Sequence, residues 1–366
     1  MEGCPVLEIN LDKITENANR VVMRCQEKGI NVLGVTKGFS AIHQIVTAMI
    51  AGGVHHLADA RMENILELRK RDIYNPMTLL RIPRLSNVEN VVQYADTSVN
   101  SEISVIAALG KVATRIKKTH NIILMVDVGD LREGVMQEDV LDIAMKIQKI
   151  PGVKLIGLGT NMGCFGGVLP SVGNLGVLIS LKKTLEQQMN YKLDVISGGG
   201  TSSLLLVENN MIPEGINQLR IGEGILLGTD TTNNRIIPWL HQDTFRLSAE
   251  VIEVKDKPSM PMGERGKDAF GNVTEFIDIG TRKRAILALG KQDMYLEGLF
   301  PLEEKYKILG GSSDHTIVDI TDKDTTINIG DKIFFGLTYP GLLSASDSRC
   351  IEKKFKGRGY LSKLNY

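Results

Sequence analysis

Between residues 30 and 228 short apolar runs alternate with longer stretches in which apolar residues recur every three or four positions. Eight such runs stand out, at 31–37, 54–59, 77–82, 96–100, 121–128, 153–160, 192–197 and 217–222; NVLGVTK and VKLIGLGT are typical. Runs of this length, rich in Val, Ile and Leu, suit strands covered on both faces, as in a parallel sheet. The segments between them, such as AIHQIVTAMIAGG, RMENILELRKR, EISVIAALGKVATRIKK and VLDIAMKIQKI, carry the helical period instead. Eight strands interleaved with helices predict an α/β fold, an N-terminal (β/α)8 TIM barrel; a doubly wound sheet shares the same alternation.

The pattern changes near residue 240. Beyond it RLSAEVIEV, TEFIDIG, RAILAL, HTIVDIT and DKIFFGL read as strands, separated by the turn-rich PSMPMGERGKDAFGN and LGGSSD. The expected organisation is a barrel over residues 1–238 and a mostly β domain over 239–366, with residues 1–10 candidates to pair with the β domain.

The 43 basic and 43 acidic residues cancel, which gives no electrostatic footprint for nucleic acid or an anionic membrane. No signal-peptide pattern opens the chain and no apolar stretch is long enough to span a bilayer, so a soluble cytoplasmic protein is expected. Cys4, Cys25, Cys164 and Cys350 are far apart in sequence and form no C-x-x-C pair, an argument against a zinc site or a disulfide framework. Cys164 is expected to be a buried, inert thiol. His55 and His56 lack a ligand partner at metal spacing and read as histidines on the rim of the core. No metal is expected.

Lys37 closes the first run, at the strand end where α/β folds place their chemistry. Taken alone it is an exposed lysine opening a loop. The loops after the seventh and eighth runs, SGGGTSSLLL (197–206) and RIGEGILLG (220–228), occupy the usual phosphate position of a barrel. Glycines there let the backbone approach a ligand, Thr201, Ser202 and Ser203 offer hydroxyls, and Gly222, Glu223 and Gly224 offer amides. Neither loop has Walker or dinucleotide spacing. A phosphorylated cofactor facing a lysine points to pyridoxal 5'-phosphate, whose pyridine nitrogen also needs a partner, and Arg220 is the candidate.

In order, VLEINLDKITENANRV, VLGVTKGFS, MVDVGDLREGV, GLGTNMGCFGG, SGGGTSSL, RIGEGILLG and LGGSSDHTIVDIT resemble the alanine-racemase group of fold-type III pyridoxal-phosphate enzymes, and most of all the branch that includes ornithine racemases. The resemblance implies that Lys37 carries the cofactor and serves as one catalytic base. It also implies that Arg132 approaches the cofactor's phenolic oxygen, that Thr201 with Ser202 binds the phosphate by hydroxyls, that Gly222 and Glu223 bind it by backbone N–H groups, and that Arg220 faces the ring nitrogen.

Several family positions differ. The lysine that alanine racemases carbamylate to steady the arginine is Met125 here, leaving Asp127 and Asp130 as candidates to hold Arg132. The histidine that packs on the cofactor ring is Asn161. The partner-chain tyrosine that acts as second base is Lys291, so that role is open between Lys291, Tyr295, Ser313 and Asp314. The resemblance further implies a homodimer in which the partner's β domain completes the site. Its substrate would be an amino acid, ornithine or lysine, whose ω-amine needs a carboxylate; Asp293 and Asp314 are the candidates, ahead of Glu223. A lyase such as a D-threonine aldolase, and a non-enzymatic pyridoxal-phosphate protein, are the competing readings.

Overall fold

The computed structural model describes residues 5–273, 275–322 and 326–359; Cys4 and Thr274 lie outside them. The chain divides into two units, one of residues 1–10 and 243–356, the other of residues 11–242 and 357–366.

Strand β1 (Val6–Asn10) belongs to the first unit. The second is a closed parallel barrel of β2 (Asn31–Val35), β3 (His56–Asp59), β4 (Met77–Leu79), β5 (Thr97–Asn100), β6 (His120–Met125), β7 (Val153–Thr160), β8 (Val195–Gly198) and β9 (Gln218–Ile221). β9 pairs back onto β2, with Asn31 opposite Gln218, and closes the ring. All eight predicted runs are barrel strands, most of them a residue or two shorter than read from sequence. Leu33, Val35 and Ala58 pack with Leu80 inside, and Val99, Ile123 and Met125 pack with Leu80, Ile156 and Val195. Side chains therefore fill the barrel, and the strands' carboxyl ends are left to present polar groups. The helices bury one stripe each: Met62, Ile65 and Leu68 turn inward from Met62–Lys70 while Glu63, Glu67 and Lys70 face water. A hairpin of β10 (Thr229–Asp230) and β11 (Arg235–Ile236) follows the last barrel strand.

The first unit is a sheet built on the long strand β12 (Phe245–Pro258), with β13 (Thr281–Leu287), β14 (Leu299–Pro301), β15 (Lys307–Gly311), β16 (Thr316–Asp319) and β17 (Lys332–Leu337) in the order β14-β17-β12-β13-β16-β15. β1 joins β12 antiparallel and β18 (Glu352–Lys356) parallel. Two expectations are corrected here. Residues 275–280 form no strand: Ile277 and Ile279 are exposed, and Ser259 Oγ accepts the Ile279 N–H while Asp278 Oδ1 accepts that of Gly280, so side chains take the donors a ladder would use. Leu309–Gly311, read as a turn, ends β15. A bulge lies between Ile308 and Gly310, and Gly310 has the positive φ of 140° that made the segment look like a turn. A helix at Tyr339–Asp347 completes the unit.

His120 opens β6 with 2% exposure, its Nε2 2.8 Å from Ser98 Oγ, and burial pushes it down to about 4 from the ordinary 6.5. Between those values the unfolded chain binds a proton that the folded chain does not, so stability is present above pH 6.5 and is lost as pH falls toward 4. The loss should reach about 3 kcal/mol. Urea melts of wild type and His120→Gln across this range are expected to diverge by that amount, the variant losing less.

Candidate active site

Thr36 extends β2 by donating its N–H to the Ala58 carbonyl at 2.9 Å, and its hydroxyl donates to Asp59 Oδ2 at 2.5 Å. Asp59 also accepts from the Arg61 N–H and from Asn64. The chain then turns through the single 3-10 turn Lys37–Phe39, with Phe39 buried beneath and Ser40 and Ala41 both at positive φ. This turn sets Lys37 at the rim rather than along the strand. Burial holds the Lys37 amine below the ordinary lysine value; Arg132 and Arg220 push the same way, while Cys164 and Asp59 oppose them.

Lys37 lines a cavity of about 340 Å³ whose other polar walls are Arg81, Arg132, Glu133, Asn161, Cys164 and Arg220. Arg220 is 6% exposed. It donates Nη1 to Ser197 Oγ at 3.1 Å, and Nη2 to the Thr160 carbonyl at 2.5 Å and to Asn161 Oδ1 at 2.6 Å. Burial brings its pKa down to about 10, so it remains a cation at neutral pH.

Neither Asp127 nor Asp130 holds Arg132, contrary to expectation. Its guanidinium meets the adjacent Glu133, donating Nε to Oε2 and Nη2 to Oε1, the latter at 2.7 Å. Asp127 instead accepts the N–H groups of Gly129 and Leu131. Asp130, 2% exposed, accepts those of Gly163, Cys164, Phe165 and Val168 and so docks the loop after β7 onto the loop after β6. Both aspartates are occupied in shaping backbone. Asn161 then reaches Glu133, donating Nδ2 to Oε1. Sequence reasoning missed Glu133, although an arginine deprived of its lysine-borne anion was a signal to look for a carboxylate nearby. Cys164 is corrected too: its thiol is exposed and lines the cavity.

The two glycine turns adjoin this cavity through Arg220, whose N–H donates to the Gly199 carbonyl at 3.0 Å. Thr201 Oγ1 accepts the Gly224 N–H at 3.2 Å and ties one turn to the other. A Cβ on Gly222 would come within 3.2 Å of Val35, so the backbone runs close against the end of β2. Ser202 is buried on the 3-10 turn Thr201–Ser203. Glu223 Oε1 accepts from Thr229 Oγ1 and from the N–H and hydroxyl of Thr231, which ties this carboxylate to the β10–β11 hairpin.

Residues 9–230 match the family described as alanine racemase, N-terminal domain. A lysine racemase of Thermotoga maritima is 42% identical over 352 residues, 96% of this chain and 98% of the relative. An ornithine racemase of Acetoanaerobium sticklandii is 41% identical over 351 residues, 96% of this chain and 99% of the relative. The chain belongs to the alanine racemase family. Amino-acid racemisation with pyridoxal 5'-phosphate is its chemistry. The fold agrees: the alanine racemase of Clostridium difficile 630 superposes with a TM-score of 0.76 at 18% identity, covering 99% of this chain and 98% of that one.

The residues present fit that cofactor. An amine lowered by burial faces an aldehyde's requirement for a neutral nucleophile, and three guanidinium groups in the same cavity suit a ligand carrying phosphate and phenolate charges. The glycine turns, joined through Thr201, supply the close backbone approach a phosphate needs.

The remaining predicted residues belong to the β unit. Lys291 and Gln292 donate their N–H groups to the carbonyls of Ser312 and Ser313, which joins the 290–297 loop to the hairpin carrying Asp314. The Lys291 ammonium lies 3.6 Å from Glu297 and 4.5 Å from the centre of the Phe270 ring. Asp293 Oδ2 accepts the Gly290 N–H at 2.8 Å, and Asp314 accepts from the Ser313 hydroxyl. Tyr295 is 50% exposed and shares a groove with Asp293, Pro340 and Leu343. No helix among the described residues is long and apolar enough to cross a membrane.

Proposed function

We propose that this protein interconverts L- and D-ornithine, with lysine as a second substrate. The reading is carried by Lys37, an amine lowered by burial in a cavity it shares with Arg132 and Arg220, in a chain 41% identical to an ornithine racemase and 42% identical to a lysine racemase. When bound, the cofactor supplies an electron-withdrawing ring that makes the substrate's α-proton acidic. Lys37 Nζ holds the cofactor and moves that proton on one face. Arg220 donates to the ring nitrogen and keeps its own proton, and Arg132 meets the phenolic oxygen. Thr201 and Ser202, with the amides of Gly222 and Glu223, hold the phosphate.

For the opposite face we propose Tyr295 of the partner subunit over Lys291. The Lys291 ammonium is already held by Glu297 and the Phe270 ring, whereas the phenol is half-exposed. Asp293 and Asp314 are the carboxylates proposed to meet the ω-amine. The working unit is then a cytoplasmic homodimer with sites completed across a two-fold axis. Sedimentation should find a dimer at assay concentrations; a fully active monomer would exclude a shared site.

Substrate choice is tested by following α-deuterium exchange for all proteinogenic amino acids and ornithine in heavy water. Ornithine and lysine should exchange at least about tenfold faster than alanine or serine, the discrimination that one paired charge can give. Faster turnover of alanine would overturn the diamino-acid reading while leaving racemisation intact.

A further inference from the structure

Among the described residues that line the Lys37 cavity, Glu133 is the one acid. A carboxylate there could meet a substrate amine, but its partners assign it elsewhere. Both oxygens take the fork of Arg132, and Oε1 also accepts Asn161 Nδ2. Asn161 in turn offers Oδ1 to Arg220 at 2.6 Å. Guanidinium groups only donate and an ionised carboxylate only accepts, so one orientation of the Asn161 amide satisfies both neighbours: nitrogen toward Glu133, oxygen toward Arg220. Donors and acceptors therefore alternate without a break from Arg132 through Glu133 and Asn161 to Arg220, and on to the Thr160 carbonyl.

The backbone is built to hold this line. Leu131 at φ 54° and Gly134 at φ 138° bend the loop so that the neighbouring side chains of Arg132 and Glu133 converge instead of pointing apart. A Cβ on Gly134 would fall 2.5 Å from the Asp127 N–H nitrogen, so the loop closes tightly. The four N–H groups gathered by Asp130 bring the Asn161 loop within reach.

We propose that Glu133 is the positioning residue for Arg132 and Arg220, acting on Arg132 directly and on Arg220 through the amide of Asn161. The proposal rests on the racemase reading above and deepens it. It takes the place of the anion that the position now held by Met125, an apolar residue buried in the barrel, cannot provide. Because the relay touches neither the substrate's side chain nor its amine, its loss should weaken turnover of ornithine and lysine alike.

The test uses the pyridoxal-phosphate-loaded enzyme with Glu133→Gln, Asn161→Asp and the double variant. Each single change puts two donors or two acceptors face to face and should lower kcat by about 10- to 100-fold, as loss of a supporting partner does; KM should move by less than about threefold, since ground-state binding is little touched. In the double variant the oxygen of the new amide at 133 accepts Arg132 Nε while its nitrogen, giving up the Nη2 contact, donates to the new carboxylate at 161, which accepts from Arg220. Alternation returns, and kcat should recover to within about fivefold of wild type, the non-additivity expected of groups in one network. The same cycle is read in the apoenzyme's melting temperature and in its Kd for pyridoxal 5'-phosphate. Singles that match wild type, or a double variant no better than the worse single, would overturn the proposal. A wild type that racemises nothing, with the double variant still restoring Kd, would sink the racemase reading and leave the relay standing.

Discussion

Lys37→Ala is expected to lower racemase turnover by roughly 10⁴-fold or more, the scale of losing an activated nucleophile and a proton carrier together. Borohydride should fix a pyridoxyl group to the peptide carrying Lys37 in the wild type and to none in the variant. The fold should survive. Burial holds the Lys37 amine below its ordinary value, so its charged form disfavours the folded state at neutral pH, and that burden eases only as pH rises toward the ordinary lysine value. Removing the amine should leave the apoenzyme melting no lower than wild type, a separation of function from stability common at active sites. A variant that keeps a reducible linkage at another lysine and stays active would show that the base lies elsewhere.

Arg220→Glu should change what the enzyme makes as well as how fast. In the proposed site the arginine, which keeps its proton, would donate to the ring nitrogen and limit how strongly the ring draws electrons; a carboxylate there would accept instead and strengthen the draw. The share of turnovers ending in transamination should rise by about tenfold or more, read as pyridoxamine phosphate formed per inversion, while racemisation falls by about 100-fold. Stability should fall by about 3 kcal/mol as well, because Thr160, Ser197 and Asn161 lose their donor at a buried position. An unchanged ratio of products would mean that Arg220 does not touch the ring.

The barrel was legible because its signal is repeated: strands buried on both faces stay apolar throughout, and β7 was read over its full length, Val153–Thr160. The β unit was harder. β15 ends in Leu309-Gly310-Gly311, where glycines that accommodate a bulge look the same in sequence as glycines that make a turn, and residues 275–280 have strand composition but join no ladder among the described residues. At the site, Lys37 could be found from its place at a strand end. Glu133 was missed, because adjacent side chains point apart in regular structure and converge here through the positive φ of Leu131 and Gly134. Cys164 was misread for a related reason: Asp130 fixes that loop by its N–H groups and leaves the thiol facing the cavity.

The most direct measurement is incubation of the pyridoxal-phosphate-loaded enzyme with L-ornithine, and separately D-ornithine, in heavy water, with chiral separation and mass analysis over time. Both should converge on equal amounts of the two enantiomers, each inverted molecule carrying one deuterium at Cα. Exchange without inversion, or loss of ornithine to a cleaved product, would contradict the assignment.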